Sequence, residues 1–198
     1  MFISGVLFII ISIAGIREVI VNAIPKGIKT ATAAGIGFFL ALIGLENSGK
    51  TSLLSAMAGD MLCTNGSHSV SGKVAYATQQ AWIMNATLKD NVLFGSSMYQ
   101  EEYRTVLRAA NLERDLQTLP DRDDSELGES GSNLSGGQKQ RVHLARAAYS
   151  KADVYLLDDP LSAVDPAVCE SIFTQLILGL LRGKTRVVVL NQLHLLDR

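Results

Sequence analysis

Three short patterns occur in one order along the chain, and together they restrict the folds that it can adopt. Residues 44–51 fit G-x-x-x-x-G-K-[ST], residues 134–138 read Leu-Ser-Gly-Gly-Gln, and residues 155–158 end an apolar run with an aspartate. Each pattern alone is a weak sign of an anion site. In this order they predict an α/β protein that handles phosphate and Mg²⁺.

The phosphate-loop pattern at residues 44–51 provides the first predicted nucleotide contacts. Its glycines let backbone N–H groups turn toward phosphate oxygens, Lys50 would reach the β- and γ-phosphates, and Thr51 would hold Mg²⁺. Two positions weaken the site, because Glu46 brings a carboxylate near the phosphates and Asn47 replaces the glycine that would ease close approach. The predicted nucleotide-binding residues of this loop are Gly44, Asn47, Ser48, Gly49, Lys50, Thr51 and Ser52.

The Leu-Ser-Gly-Gly-Gln pattern predicts the start of a helix. Ser135 can cap this helix, and the two glycines leave the backbone open to a phosphate. The predicted nucleotide contacts in this pattern are Ser135, Gly136, Gly137 and Gln138. Residues 153–158 then form an apolar run that ends in acid, which is typical of a buried parallel strand. Asp158 is placed to hold Mg²⁺ through water.

Other segments complete the α/β pattern. Residues 73–78 alternate as a strand does, and the β-branched, apolar run at residues 185–190 predicts one more buried strand. Apolar spacing over residues 99–115 predicts a helix. Residues 120–132 are acidic and carry glycine, which favours a solvated loop over a metal site.

Charge and hydropathy separate the N-terminal part from the rest. The net charge of −1 and a pI near 6.3 give no electrostatic reason to expect a nucleic-acid partner. The mean hydropathy of +0.21 is high for a soluble domain. The excess lies in residues 1–45, whose charged side chains are Arg17, Glu18, Lys26 and Lys29. A boundary is therefore expected near residues 35–46.

The N-terminal part contains two apolar runs, and each of them has two possible interpretations. Residues 1–16 are uncharged and predict a membrane helix, with a buried core helix as the alternative. Residues 30–45 are either a second membrane helix or, at residues 38–43, the buried strand before the phosphate loop. The basic residues between the runs would stay on the cytoplasmic side, so a second crossing would carry the nucleotide site outside. This argument favours the strand.

Part of the N-terminal region resembles another class of protein. Residues 17–44 include Arg-Glu-Val-Ile-Val-Asn-Ala-Ile-Pro-Lys-Gly and Ala-Gly-Ile-Gly-Phe-Phe-Leu-Ala-Leu-Ile-Gly. These segments are similar to a stretch of the adenine/guanine/hypoxanthine permeases. The likeness extends at most over residues 5–46, which is too short for a transport path built from many helices.

A second and longer resemblance rests on residues 74–95, which read Val-Ala-Tyr-Ala-Thr-Gln-Gln-Ala-Trp-Ile-Met-Asn-Ala-Thr-Leu-Lys-Asp-Asn-Val-Leu-Phe-Gly. This sequence closely resembles the first nucleotide-binding domain of subfamily C ATP-binding cassettes, the multidrug-resistance-associated transporters. The likeness covers residues 47–198. It implies a P-loop NTPase fold of the ABC ATPase type, with a parallel sheet, a helical subdomain, and ATP and Mg²⁺ as cofactors.

The resemblance also assigns roles to residues outside the three patterns. It implies that Gln79 contacts Mg²⁺ and the attacking water. Asp159 stands where members that hydrolyse well carry a glutamate base, and Asn191 stands where a histidine often contacts the γ-phosphate. Trp82 and Phe94 would lie near the surface that meets the membrane domain, with ordinary core aromatics as the alternative. The predicted catalytic residues are Asp159, Gln79 and Asn191, and the predicted Mg²⁺ ligands are Thr51, Gln79 and Asp158.

A partner follows from the same resemblance. In this family the Leu-Ser-Gly-Gly-Gln segment completes the ATP site of a second nucleotide-binding domain, and residues 162–165 match the loop that joins the two sites. The transmembrane domains of an exporter and the membrane itself are the further partners. Because Asn47, Asp159 and Asn191 depart from the family pattern, the chain's own site is expected to bind ATP but to hydrolyse it slowly.

These observations predict two parts. Residues 1–36 form an apolar, membrane-helix-like segment, and residues 37–198 form an ABC nucleotide-binding domain with its helical subdomain near residues 85–150. The domain is expected to be incomplete at both ends and to face the cytoplasm from a membrane. The expected function is ATP binding, with weak or partner-dependent hydrolysis, in a multidrug-type exporter. The alternatives are a non-catalytic, membrane-tethered nucleotide-binding module and a chimeric or truncated fragment that carries a purine permease remnant.

Overall fold

The computed structural model describes residues 49–192 and Leu195. All of these except Gly49 belong to one compact unit, Lys50–Arg198. Within this described part, no helix is both long enough and apolar enough to cross a membrane. The predictions that lie outside the described residues concern residues 1–36, the strand at residues 38–43, the permease-like residues 17–44, and the site residues Gly44, Asn47 and Ser48.

Three parallel strands form the sheet: β1 Val74–Ala77, β2 Val154–Asp158 and β3 Thr185–Val189. β2 lies in the middle, with Val154 beside Val74 on one side and beside Thr185 on the other. Every residue of β2 is buried, as its apolar sequence predicts. All three predicted strands are confirmed, but the burial predicted for β3 is wrong. β3 is only half-buried, because one of its edges has no strand partner in the described part of the chain.

Helices occupy most of the chain between the strands. These helices are α2 Leu88–Leu93, α3 Gln100–Ala109, α4 Glu113–Thr118, α5 Gly136–Tyr149 and α6 Pro166–Ile172, whereas α1 Lys50–Ala58 precedes β1. A π-helical segment, Phe173–Leu180, continues α6. The acidic region at residues 120–132 contains two single 3₁₀ turns, Arg122–Asp124 and Glu129–Gly131, and most of its carboxylates are exposed.

The two faces of the sheet pack against different helices. Leu54 of α1 packs with Val154 and Leu156 on one face. The alternate residues of β2, Tyr155 and Leu157, belong to the larger core that includes α3 and α5 on the other face. Side chains of a strand point alternately to its two sides, so the apolar run of β2 supplies both layers. The result is an α/β arrangement with helices on both faces of a parallel sheet.

The prediction of one helix over residues 99–115 is wrong, because the structure has two helices separated by a turn. Asn111 has a φ of 56° in this turn, a left-handed conformation that asparagine tolerates better than most residues. The Arg141 guanidinium donates a hydrogen bond to the Asn111 carbonyl at 2.6 Å. The turn therefore satisfies a carbonyl at the end of α3 and brings Asp115 of α4 to Arg141.

Buried polar groups fix α2 against α5. Arg146 of α5 donates from its Nε to the Asn91 carbonyl at 2.7 Å, and a second guanidinium nitrogen donates to the Asn91 side-chain oxygen at 2.7 Å. Asn91 is fully buried, and its side-chain oxygen also accepts from the Met84 N–H at 2.8 Å. Because a buried polar group left unpaired is costly, these bonds allow one orientation of the two helices.

His143 of α5 is a buried neutral base beside β1. Its Nδ1 accepts a hydrogen bond from the Trp82 N–H at 3.3 Å. Burial, and to a smaller extent the positive charge of Arg146, lowers the pKa of His143 to about 4. An unfolded histidine titrates near pH 6.5, so the unfolded chain binds one more proton than the folded chain between about pH 4 and pH 6.5. The folded state therefore loses stability as the pH falls through this window.

We expect the replacement His143→Gln to flatten the pH dependence of stability in that window. The wild-type chain should lose on the order of 3 kcal/mol of unfolding free energy through this residue between pH 7 and pH 4. Urea unfolding followed by circular dichroism at several pH values measures the effect. The matched control is His68→Gln, since His68 is exposed and should leave the wild-type dependence unchanged. Equal slopes for the wild type and His143→Gln would contradict the assignment.

Candidate functional site

Three of the predicted site residues meet at the carboxyl end of the sheet. Lys50 begins α1, Asn191 follows β3, and Asp159 follows β2. The Lys50 ammonium donates to the Asn191 side-chain oxygen at 3.4 Å, and the Asn191 side-chain nitrogen donates to a carboxylate oxygen of Asp159 at 2.6 Å. Parallel strands bring residues that follow them to one edge of a sheet, where α/β proteins commonly bind ligands. The amide of Asn191 therefore bridges the lysine and the acid.

Asp158 and Asp159, the acidic pair, are almost fully buried at this edge, with 2% and 4% of their surface exposed. The Oδ2 atom of Asp158 and the Oδ1 atom of Asp159 are buried, and neither has a hydrogen-bond partner in the described part of the chain. An ionised oxygen in such a position is stabilised by a cation or by water bound to one. Carboxylate oxygens are ligands that Mg²⁺ prefers. The acidic pair therefore fits the predicted metal.

The other predicted residues of this site are more open. Thr51 and Ser52 lie in the first turn of α1, and Gln79 follows β1; all three side chains are exposed. No hydrogen bond joins any of them to the acidic pair within the described residues. Gly49, by contrast, is buried. The structure thus gathers Lys50, Asn191 and the acidic pair, and it leaves Thr51 and Gln79 facing solvent.

The Leu-Ser-Gly-Gly-Gln segment forms the capped start of α5, as predicted. The Ser135 hydroxyl accepts from the Gln138 N–H at 3.3 Å, and the Gln138 side-chain oxygen accepts from the Ser135 N–H at 2.8 Å. This reciprocal pair is a capping box. Beside it lies a cavity of about 330 Å³. The residues that line the cavity include Ser135, Gly136, Gly137, Arg141, Ala163, Val164 and Asp165.

Asp115 supports this segment from α4, a role that the sequence patterns did not indicate. Its carboxylate accepts from two nitrogens of Arg141 at 2.6 and 3.1 Å, and from the Gln138 side-chain nitrogen at 2.9 Å. Both members of the Asp115–Arg141 ion pair are largely buried. A two-pronged arginine–carboxylate pair is rigid, so it fixes the orientation of the first turn of α5. Both ends of the Gln138 amide are consequently hydrogen-bonded, the oxygen to the Ser135 N–H and the nitrogen to Asp115.

Trp82 and Phe94 form an exposed aromatic surface. Their rings pack edge to face with centroids 5.5 Å apart, and 43% and 54% of the two residues is exposed. The Arg146 guanidinium lies over the face of the Trp82 ring, 3.7 Å from its centroid, and makes a cation–π contact with it. The alternative that these are ordinary core aromatics is therefore wrong within the described structure. An exposed aromatic pair is typical of a surface that contacts a partner.

Gly137 lies where the first turn of α5 meets the loop after β2. A Cβ added at Gly137 would lie 2.7 Å from the Ala163 carbonyl oxygen, whereas one added at Gly136 would lie 3.7 Å from the Ala163 side chain. The first distance is too short for an ordinary contact, and the second is normal. Only the second glycine is therefore required by packing inside this chain.

We expect Gly137→Ala to push α5 away from the loop and to destabilise the fold by about 1–3 kcal/mol, as overpacking does. The matched control Gly136→Ala should change the unfolding free energy by less than about 0.5 kcal/mol. Urea unfolding of both variants checks the difference. Equal unfolding free energies of the two variants would contradict this expectation, because they would show that the loop moves away from the added methyl group without loss of stability.

Comparison with known proteins agrees with this geometry. A family profile described as "ABC transporter" matches residues 35–162. The chain is 52% identical over 164 residues to the rat protein "ATP-binding cassette sub-family C member 2", a match that covers 82% of this chain and 11% of that protein. It is 54% identical over 155 residues to "ABC transporter C family member 3" of Dictyostelium discoideum, covering 78% of this chain and 11% of that protein.

The human "ATP-binding cassette sub-family C member 2" is 51% identical over 164 residues, which is 82% of this chain and 11% of the human protein. The chain thus spans about a tenth of the length of the curated relatives that it matches. These matches give no support to the permease likeness of the N-terminal residues. The family profile, the identity to these relatives and the parallel-stranded α/β structure agree: the chain belongs to the ABC transporter family and is a nucleotide-binding domain of the subfamily C type.

Proposed function

We propose that this chain binds ATP with Mg²⁺ as the nucleotide-binding domain of a multidrug-type exporter, and that it hydrolyses ATP slowly at its own phosphate loop. The observation that supports this best is the bridge from Lys50 through Asn191 to Asp159 at the carboxyl end of the sheet. In it the neutral amide of Asn191 contacts both a lysine that could meet phosphate and a buried acid. Binding and slow turnover both follow from these groups.

The proposed binding contacts come from the start of α1 and from the acidic pair. Lys50 would approach the phosphates at the positive end of α1, and the buried oxygen of Asp158 would hold Mg²⁺ through water. Thr51 and Gln79, which are exposed, would complete the metal's surroundings. When bound, Mg²⁺ supplies positive charge that stabilises the phosphate oxygens during transfer. The residues of the chain hold and orient the nucleotide.

Slow hydrolysis follows from the chemistry of Asp159 and Asn191. Asp159 is one methylene shorter than glutamate, and a displacement of about 1 Å can lower a rate on the order of 100-fold. One of its carboxylate oxygens already accepts the Asn191 amide at 2.6 Å. Asn191 has no group that takes up a proton near neutral pH, so it cannot replace an imidazole beside the γ-phosphate. The chain's own site is therefore proposed to be degenerate.

The signature residues are proposed to act on the ATP of a second nucleotide-binding domain. Gly136 and Gly137 are at the N-terminal end of α5, where backbone N–H groups are free to meet an anion, and they line an open cavity. The capping box and Asp115 hold this end in place. The chain would thus contribute an intact signature to its partner while its own site turns over slowly.

The remaining proposed partners are the transmembrane domains of the exporter. The exposed surface of Trp82 and Phe94 is the proposed contact, since it combines aromatic area with a supporting arginine. This arrangement would place the domain on the cytoplasmic side of a membrane. A second candidate function, a nucleotide-binding module without any hydrolysis, is favoured by the hydrogen bond that Asn191 already donates to one carboxylate oxygen of Asp159.

We expect Lys50→Ala to abolish binding of trinitrophenyl-ATP, because the lysine is the cation that begins α1. Fluorescence titration of the full chain with Mg²⁺ measures the affinity. Lys151→Ala is the matched control, since Lys151 is exposed and pairs with Glu102 away from the site. Its affinity should equal that of the wild type. Failure of the wild-type chain to bind at millimolar ATP would contradict the proposal.

We expect the double replacement Asp159→Glu with Asn191→His to restore hydrolysis at this chain's site. A correctly placed base and histidine should raise the rate at least about tenfold, since general-base catalysis typically contributes 100-fold or more. The assay mixes the chain with a second nucleotide-binding domain whose own phosphate-loop lysine has been replaced, so that only one site turns over. Asp158→Asn should remove the gained activity.

This assay also separates the two candidate functions. Slow wild-type hydrolysis that requires the second domain supports the exporter role, and none at all supports the non-catalytic module. Full hydrolysis by the wild-type chain alone, unchanged by Asp158→Asn, would contradict both.

A further inference from the structure

Gln140 of α5 is a buried polar residue to which neither the phosphate loop nor the signature pattern assigns a role. Only 5% of it is exposed, and its side chain points to the loop that follows β2. Leaving a buried amide unpaired costs about 1–3 kcal/mol per group, so its partners determine its position. All of those partners lie within residues 159–163.

Three hydrogen bonds join the amide to this loop. The Gln140 nitrogen donates to the Ser162 hydroxyl at 2.8 Å and to the Asp159 carbonyl at 3.3 Å. The Gln140 oxygen accepts from the Ala163 N–H at 2.8 Å. A backbone N–H can only donate, so the bond to Ala163 fixes which end of the amide faces which partner.

The bond to Asp159 acts on a strained residue. Asp159 has a φ of 45°, in the left-handed region that costs a non-glycine residue about 1–2 kcal/mol. Its N–H donates to the Val189 carbonyl at 3.0 Å, and its own carbonyl accepts from Gln140. The residue is therefore held from β3 on one side and from α5 on the other. Strained backbone of this kind persists where the surroundings determine it.

A second contact joins the same two elements. Gly137 lies one turn before Gln140 on α5, and its close approach to the Ala163 carbonyl leaves no space between helix and loop. Two contacts on one loop, a turn of helix apart, prevent the loop from tilting relative to α5. The loop that begins with Asp159 is consequently held against the first two turns of α5.

We propose that Gln140 is a positioning residue that holds the backbone of Asp159, and with it the acidic pair, in register with the helix that carries Leu-Ser-Gly-Gly-Gln. The inference rests on the proposed nucleotide function, since it concerns the same site. Gln140 itself touches neither phosphate nor metal. It acts by keeping the carboxylates of Asp158 and Asp159 where Mg²⁺ would need them, and it makes this placement depend on the position of the signature.

Two replacements test the role of the amide. Gln140→Met removes all three hydrogen bonds at nearly constant volume. Gln140→Glu keeps an acceptor for the Ala163 N–H and for the Ser162 hydroxyl, but it cannot donate to the Asp159 carbonyl. Gln140→Glu tests the proposed role of Gln140 if Gln140→Met does not fold. The matched control is Gln175→Met, because Gln175 is exposed and also donates to a serine hydroxyl, that of Ser171.

The measurement is the tightening of trinitrophenyl-ATP binding when Mg²⁺ replaces EDTA, on the full chain. In both Gln140 variants, the factor by which Mg²⁺ increases the affinity should fall about tenfold. Removal of a group that orients metal ligands typically has an effect of this size. Affinity in EDTA should stay within about twofold of the wild type, and adding Asp158→Asn should cause no further loss. Hydrogen exchange at the Asp159 and Ala163 amides should accelerate in the same variants, while exchange in α2 stays unchanged.

Each other outcome has a definite meaning. Unchanged tightening in the Gln140 variants, an equal loss with and without Mg²⁺, or losses that add to those of Asp158→Asn would overturn the inference and leave the proposed function intact. Absence of binding by the wild-type chain would overturn the proposed function, and this inference with it. A loss of tightening in Gln175→Met would show that the effect is not specific to the loop.

Discussion

The complete hydrogen bonding of polar side chains buried along α5 is the constraint on which the described structure depends. Gln140, His143 and Arg146 all lie on the buried side of this helix, where an unpaired polar group costs about 1–3 kcal/mol. Each of them bonds to a different part of the chain: the loop after β2, the segment after β1, and α2. Hydrophobic packing alone permits many orientations of a helix, whereas directed bonds of this kind permit few. The helix that begins with the signature therefore also sets the positions of the acidic pair and of the exposed aromatic surface.

Much of the fold could be predicted because its signals are local. The apolar runs at β1, β2 and β3 and the Ser-Gly-Gly start of α5 each carry their meaning within a few residues. The break at Asn111 could not be predicted in this way. It depends on Arg141, which lies thirty positions further along the chain and takes the Asn111 carbonyl. The role of Asp115 could not be predicted for the same reason. An acid on a helix is ordinarily a solvated charge, and only the tertiary structure pairs this one with Arg141.

The candidate site also contains residues that local patterns predict and residues that only the tertiary structure brings together. Lys50, Asp158 and the signature glycines belong to patterns with a fixed spacing, so sequence alone assigns them. The contact of Asn191 with both Lys50 and Asp159 joins residues from three separate elements and became visible only in the structure. Gln140 is similar, because a glutamine in a helix has no distinguishing pattern and its partners lie on a loop beyond the helix. The predicted contacts that belong to patterns of fixed spacing are thus readable from sequence, and residues that position others are not.

On the proposed function, the bridge at Asn191 explains how a site that hydrolyses ATP slowly can still be a stable one. The Asn191 amide donates to the acid and accepts from the lysine at once, as a neutral imidazole also could, but unlike an imidazole it takes up no proton near neutral pH. The neutral bridge therefore bonds to both groups without a change of protonation. On the proposed function, the same property leaves Asn191 without a group that can exchange a proton during hydrolysis. The signature end of α5 is arranged differently: its capping box, Asp115 and Arg141 hold the first turn in place, and on the proposed function the backbone N–H groups of Gly136 and Gly137 meet a phosphate. On the proposed function, the chain's own site is thus arranged for holding a nucleotide, and its signature is arranged for the turnover of a partner's.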